Sequence, residues 1–227
     1  MDLMRKLQEV LQTVGLDNIW RPIYDPKGNL VAPGAGWEND GLPKSFPKDH
    51  FRGKTVLDVG CNFGFYTFFA KKHGASQTVG IDIDERLIEG CNILKAMYGI
   101  PDVHFYVADL LTYDPPEIYD TVMLLDTIGK NFVQTGMLKH FLDALERLAR
   151  YAMIISFRAI YRIPKHFEVK AETLAATYSG EYIRNKRFHL LEYVHAYFEE
   201  HWEIAYLSPE CDPEESNKRT IIFVRKI

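Results

Sequence analysis

The sequence is poor in cysteine, has no long apolar run and carries no excess of positive charge, and each shortage excludes something. Its three cysteines, Cys61, Cys91 and Cys211, lie far apart and form no CxxC pair. A structural zinc site and a disulfide framework therefore lack support, and a reducing, cytoplasmic setting is expected. No stretch approaches the ~18 apolar residues of a membrane span. The longest, 122–125 and 153–155, are strand-sized, and the first six residues lack the apolar centre of a signal peptide. Lys and Arg number 27 against 31 Asp and Glu, a net charge of −4. The chain as a whole is not built around a nucleic-acid footprint, although a local basic face remains compatible with that balance. His73, His140, His189, His195 and His201 show no ligand spacing with acids, so no metal is expected. Internal repeats and low-complexity tracts are also missing.

What is present is the composition of a globular chain, 47% hydrophobic and 26% charged. Apolar residues at Leu3, Leu7, Val10, Leu11 and Val14 predict an amphipathic opening helix. Residues 20–53 then alternate Pro and Gly breakers with Trp20, Tyr24, Trp37, Phe46 and Phe51. Aromatics need a surface to lie against, so this stretch is expected to wrap the main domain or to cover a pocket as a lid. Residues 1–52 are read as this extension and 53–227 as the main domain.

From Lys54 the pattern becomes regular. Strands are predicted at 55–59, 78–83, 103–108, 119–125 and 152–157, with helices at 65–73, 85–98 and 138–150 between them. A long helix is predicted over 187–201, and two closing strands over 202–207 and 220–224. Alternating strand and helix imply a three-layer α/β/α, Rossmann-like sheet, mostly parallel, with an antiparallel edge strand from the closing pair. Ligands of such sheets bind at the carboxyl ends of the strands.

The residues that carry chemistry sit at those ends. After the first strand comes Asp58-Val59-Gly60-Cys61-Asn62-Phe63-Gly64, a glycine-bearing turn that leads into a helix. It is not the GxGxxG of dinucleotide-binding loops, which weakens the oxidoreductase reading. After the second strand, Asp82 can accept two hydrogen bonds from a ribose diol, while Asp84 reads as a helix cap. Asp109 follows the third strand and Asp126 the fourth; each suits a binding role or a plain turn or cap.

This arrangement resembles the class I S-adenosylmethionine (SAM)-dependent methyltransferases, whose pattern is an acid followed by glycines at alternate positions. Asp58, Gly60 and Gly64 match and Asn62 replaces the middle glycine; Asn tolerates left-handed backbone best among non-glycine residues. The resemblance covers about 54–158 and implies SAM as cofactor. It lays the methionine end of SAM over Gly60 to Gly64, with Cys61 offering backbone, and assigns Asp82 to the ribose hydroxyls and Asp109 to the adenine amino group. Ile83, Ala108, Leu110 and Leu125 complete the implied cofactor set. Asp126 would face the transferred methyl group, as acceptor-orienting residue or base. More loosely, the segment 42–47 and the phrase Gly60-Cys61-Asn62-Phe63-Gly64-Phe65 resemble bacterial relatives of the tRNA-uridine carboxymethyltransferases.

For the acceptor, Arg158 at the end of the fifth strand can grip a carboxylate or phosphate, or equally form a salt bridge to a nearby acid, and Trp37 can dock on a substrate if its segment is a lid. The run Tyr182-Ile-Arg-Asn-Lys-Arg-Phe-His189 holds three cations and two aromatics, which suits an anionic partner or merely a solvated face. The expectation is a methyltransferase acting on a small, anionic acceptor. The alternatives are a tRNA-modifying methyl- or carboxymethyltransferase and a SAM-binding protein without catalysis. No membrane partner is expected, and the oligomeric state is not readable.

Overall fold

The computed structural model describes residues 2–35, 48–209 and 218–227. Trp37, Phe46, the rest of the 42–47 segment and Cys211 lie outside them. The chain forms two compact units, 1–123 and 124–227.

In the first unit, α1 (Leu3–Val14) is capped by the Asp2 carboxylate, which accepts the Met4 N–H, and it stops at Gly15. Strands β1 (Ile23–Tyr24) and β2 (Leu30–Ala32) form an antiparallel hairpin. Its turn is held by Asp25, whose carboxylate accepts the N–H groups of Lys27 and Asn29. Then follow β3 (Thr55–Val59), α2 (Phe65–Lys72), β4 (Gln77–Asp82), α3 (Glu85–Tyr98) and β5 (Val103–Val107). Strand β3 pairs parallel with β4, and β4 with β5. Such crossovers require helices, and the apolar faces of α2 and α3 cover the strands.

Strand β6 (Tyr119–Ile128) runs across the boundary between the units. The second unit continues with α4 (Lys130–Gln134), α5 (Leu138–Leu148), β7 (Ala149–Arg158), β8 (Ile160–Arg162), α6 (Ala171–Tyr178), β9 (Ile183–Arg184), β10 (Arg187–His189), α7 (Leu190–Phe198), β11 (Trp202–Leu207) and β12 (Lys218–Arg225). The main sheet has the order β11-β12-β7-β6-β3-β4-β5 and is mainly parallel. The antiparallel expectation is met by β12, which opposes both β7 and β11. Helix α5 buries Leu138, Leu142, Leu145 and Leu148 completely, the face that its spacing predicts.

The region 187–201 is not one helix. Asn185 and Lys186 both take positive φ, 50° and 55°, and reverse the chain between β9 and β10, so that α7 begins only at Leu190. An Asn-Lys pair in two left-handed positions is a weak hairpin signal beside Asn-Gly. The three-stranded sheet β8-β10-β9 that it builds was therefore not legible in the periodicity.

The described part of the opening segment packs into the core. Leu7, Val10, Leu11 and Val14 of α1, with Ile19, Ile23 and Ala32, share one buried cluster with Phe63 of the first loop and Leu87, Ile93 and Leu94 of α3. Each such side chain removed from water stabilises the fold by roughly 1.5–3 kcal/mol. Deleting residues 1–36 is therefore expected to abolish the cooperative thermal transition followed by circular dichroism. A truncated chain that still melts cooperatively near the wild-type temperature would make the segment a dispensable cover.

Candidate functional site

The loop after β3 carries the decisive backbone geometry. Gly60, Asn62 and Gly64 take φ of 69°, 50° and 75°, so alternate residues are left-handed. This explains why the sequence keeps two glycines and an asparagine there and no other residue type. Gly64 is the residue just before α2, and a Cβ on it would stand 2.8 Å from the Phe105 ring, so the turn is close-packed as well as left-handed.

Two side chains close the loop. The Asp82 carboxylate accepts the Asn62 N–H through Oδ2 (3.0 Å) and the Asp84 N–H through Oδ1 (3.1 Å). Each oxygen keeps a further lone pair, so a vicinal diol can still be accepted there. Asn62 reaches the other way: its Nδ2 donates to the Asn18 carbonyl (2.9 Å), and its Oδ1 accepts the Trp20 N–H (3.2 Å). The asparagine that replaces the middle glycine therefore supplies the left-handed turn and ties the opening segment to it. Sequence reading found the first role and missed the second. It also missed the buried Arg21, whose Nη2 donates to the Tyr66 hydroxyl (2.9 Å) while its guanidinium lies 5.5 Å from the ring centre.

Asp58 is 2% exposed and accepts the Thr67 hydroxyl at 2.6 Å. Burial pushes its carboxyl up to about 7; the Thr67 hydrogen bonds oppose the shift and the Asp82 charge adds to it. Cys61 is buried beside Cys91, and both thiols point to the Asn62 carbonyl, Cys91 at 3.0 Å. Burial first, then the hydrogen bond with Cys91, drives the Cys61 thiol well above its ordinary value, the opposite of what a nucleophile needs.

The remaining cofactor candidates of this unit lie at the ends of β4 and β5. Ile83 follows Asp82 and is 75% exposed, an apolar side chain left open beside the carboxylate. Ala108 N–H donates to the Asp82 carbonyl (2.9 Å), which joins the two strand ends. The Asp109 carboxylate accepts the Leu111 N–H (2.9 Å) and so holds a turn, and Leu110 is buried. The left-handed cradle, a diol acceptor at Asp82 and the exposed Ile83 together fit a nucleoside carrying a charged tail.

In the second unit, Leu125 is buried within β6. Asp126 takes φ 62°, its N–H donates to Ser156 Oγ (2.9 Å), and that hydroxyl donates back to Asp126 Oδ1 (2.8 Å). Lys218 pairs with the same carboxylate. The hydroxyl of Ser156 and the ammonium of Lys218 hold this carboxylate in a charge-assisted pair on Oδ1, an arrangement that suits orienting an acceptor. Arg158 stands opposite Lys218 in the β7–β12 ladder, with its guanidinium 5.9 Å from the Tyr161 ring centre.

Comparison with known proteins gives this geometry a family. Residues 50–201 match the family model described as a methyltransferase domain, and the chain belongs to that family, whose methyl donor is SAM. The fold is that of the class I methyltransferases. Magnesium protoporphyrin IX methyltransferase from Synechocystis PCC 6803, with bound SAH, superposes with a TM-score of 0.55 at 20% identity, over 78% of this chain and 76% of that one. The N-methyltransferase NodS from Bradyrhizobium japonicum WM9 gives 0.52 at 12% identity, over 77% and 86%. Among curated relatives, protein arginine N-methyltransferase 1 of Saccharomyces cerevisiae is 44% identical over 55 residues, 24% of this chain and 16% of its own length. Ribosomal protein L11 methyltransferase of Burkholderia multivorans is 43% identical over 56 residues, 22% and 19%. The chain thus spans under a fifth of the length of these relatives.

The Asp58 environment makes a pH prediction. With a carboxyl near 3.8 when unfolded and about 7 when folded, the native state holds the extra proton between those values. Asp58 therefore costs nothing below pH 4, and its cost grows as pH rises through 7. Relative to wild type, Asp58→Asn is expected to gain up to roughly 4 kcal/mol of unfolding free energy between pH 4.5 and 8. Urea titrations across that range check it; a constant difference would contradict the assigned burial effect.

Proposed function

We propose that this chain transfers a methyl group from SAM to a small acceptor that carries an anionic group. The observation that supports the donor site best is the alternating left-handed loop at Gly60, Asn62 and Gly64, closed by the Asp82 carboxylate. The donor, when bound, supplies a methyl group already activated on a sulfonium. The chain's own task is then proximity and orientation, which need no dedicated acid or base. In this reading the loop backbone and Asp58 hold the amino-acid end, Asp82 the ribose hydroxyls, and Ile83, Ala108, Asp109 and Leu110 the adenine. Gly60, Cys61 and Gly64 contribute backbone, and Leu125 completes the proposed cofactor set. Asp126 is proposed to orient the acceptor, and Arg158 to bind its anionic group in a forked geometry. Trp37 is proposed as a further acceptor contact. Residues 1–52 are proposed to support the methyltransferase domain at 53–227.

An RNA acceptor, such as tRNA, is the second reading, and one observation favours it. Across the sheet β8-β10-β9, Arg162 faces Arg187 and Arg187 faces Arg184. Residues directly opposite share one face of a sheet, and like charges there are unfavourable without a counter-charge. Glu192 supplies one, accepting two bonds from Arg184 at 2.6 and 2.8 Å.

Calorimetry with SAM and SAH tests the main reading. Micromolar binding is expected for wild type, with at least a tenfold loss, about 1.4 kcal/mol, in Asp82→Ala. Equal affinity in the variant would remove Asp82 from the site, and no binding to either ligand would overturn the proposal. If turnover of any acceptor is undetectable while binding is retained, the non-catalytic alternative holds.

A further inference from the structure

The segment 18–21 lies against the loop after β3, and its side chains divide. Ile19 is fully buried in the cluster with α1 and α3, and Arg21 is buried against Tyr66. Ile19 is extended, with φ −93° and ψ 105°, and neighbours in extended backbone point to opposite sides. Trp20 between them is turned outward and is 52% exposed. Among the described residues its indole meets no ring, no cation and no hydrogen-bond acceptor; its one polar contact is made by the backbone N–H. Other aromatic faces of this chain hold a cation of its own. Arg225 stands 4.3 Å from the Trp202 ring centre, and Arg21 stands 5.5 Å from that of Tyr66.

The backbone of Trp20 is nevertheless fixed on both sides. Its N–H donates to Asn62 Oδ1 (3.2 Å) while Asn62 Nδ2 donates to the Asn18 carbonyl (2.9 Å), so one amide clips residues 18 and 20 together. On the far side the Ala35 N–H donates to the Ile19 carbonyl (2.6 Å), and a Cβ on Gly34 would stand 2.7 Å from the Arg21 backbone. The Asn62 N–H in turn donates to Asp82 (3.0 Å). Asn62 alone, with a hydrogen bond at each end, therefore separates Trp20 from the carboxylate proposed to take the ribose hydroxyls. Ile83, another large apolar side chain left open, follows that carboxylate directly. A side chain that gains much from burial is thus held half in water at the rim of the left-handed cradle.

We infer that Trp20 is a specificity-determining residue of the donor site, its ring face receiving the sulfonium of SAM, and that Asn62 is the residue that positions it. The inference rests on the methyltransferase reading and adds to it a preference for donor over product. Tryptophan offers a cation the strongest ring face, and SAH is a neutral thioether where SAM is a cation. In the transfer the acceptor's lone pair forms the new bond to the methyl carbon, and the electron pair of the S–CH3 bond returns to sulfur. The positive charge passes to the acceptor atom, which sheds a proton to water where it carries one. The attraction to the ring ends with the charge on sulfur, which favours release of the product. Glycine at position 62 permits the same turn but has no side chain to clip residues 18 and 20.

Calorimetry on the full chain with SAM and with SAH tests this. Trp20→Leu is expected to weaken SAM about fivefold and SAH less than about twofold, with unchanged melting at so exposed a position. Trp20→Phe, which keeps a weaker ring face, is expected to fall between Trp20→Leu and wild type. Asn62→Gly keeps the left-handed turn and is expected to lower the ratio of SAM to SAH affinity as Trp20→Leu does. A ratio that Trp20→Leu leaves unchanged overturns the contact, whether both affinities stand or both fall together. An Asn62→Gly chain with the wild-type ratio removes Asn62 from the positioning role. Wild-type binding of SAM and SAH combined with an unchanged ratio in Trp20→Leu rejects this inference alone. Wild-type chain that binds neither ligand rejects the methyltransferase reading, and this inference with it.

Discussion

The first unit depends on one carboxylate. Asp82 receives the N–H of Asn62 on one oxygen and that of Asp84 on the other, and so ties the turn after β3 to the turn after β4. The Gly60 and Cys61 N–H groups donate to the Ile81 carbonyl at 2.9 and 3.0 Å and reinforce the same junction. The left-handed turn after β3 and the extended turn after β4 are thereby held in one geometry. An ionised acceptor makes such bonds stronger than neutral pairs. Remove this clasp and the left-handed positions at 60, 62 and 64 lose what over-determines them.

From that junction the packing extends outward. Asn62 carries it to Asn18 and Trp20, so the opening segment is bound through the same turn that makes the cradle. Phe63 carries it into the cluster with α1 and α3, and a Cβ at Gly90 would stand 2.4 Å from its ring, so α3 sits against it with no space to spare. Loop geometry, helix packing and the buried Asp58 are parts of one arrangement, and a change at any of them is felt at the others. The second unit has its own polar centre, where the left-handed Asp126 exchanges hydrogen bonds with Ser156 and pairs with Lys218.

Much of this was legible because the governing signals are local. The alternating strands and helices from 54 onward follow from apolar periodicity, and Asp84 caps α3 as its position suggests. The left-handed turn follows from two glycines and an asparagine at alternate positions. What escaped depends on partners distant in sequence. Asn62 was read for its backbone alone, since nothing at 18–20 signals its amide partner. Ser156 was seen only as the end of a strand, and Lys218 not at all, because their meeting with Asp126 needs β7 and β12 in register. Residues 187–201 were read as one helix, since an Asn-Lys hairpin turn stabilised by pairing to β8 leaves no periodic trace in so short a segment.

If the turn after β3 is where the methyl donor binds, the product SAH must perturb it. Backbone amide NMR of the full chain with and without SAH tests this most directly. The largest shift changes are expected on Gly60 to Gly64 and on Asp82 to Asp84, with the Trp20 amide moving through its bond to Asn62. Saturable changes confined to other parts of the chain, with 60–64 and 82–84 unmoved, would contradict it.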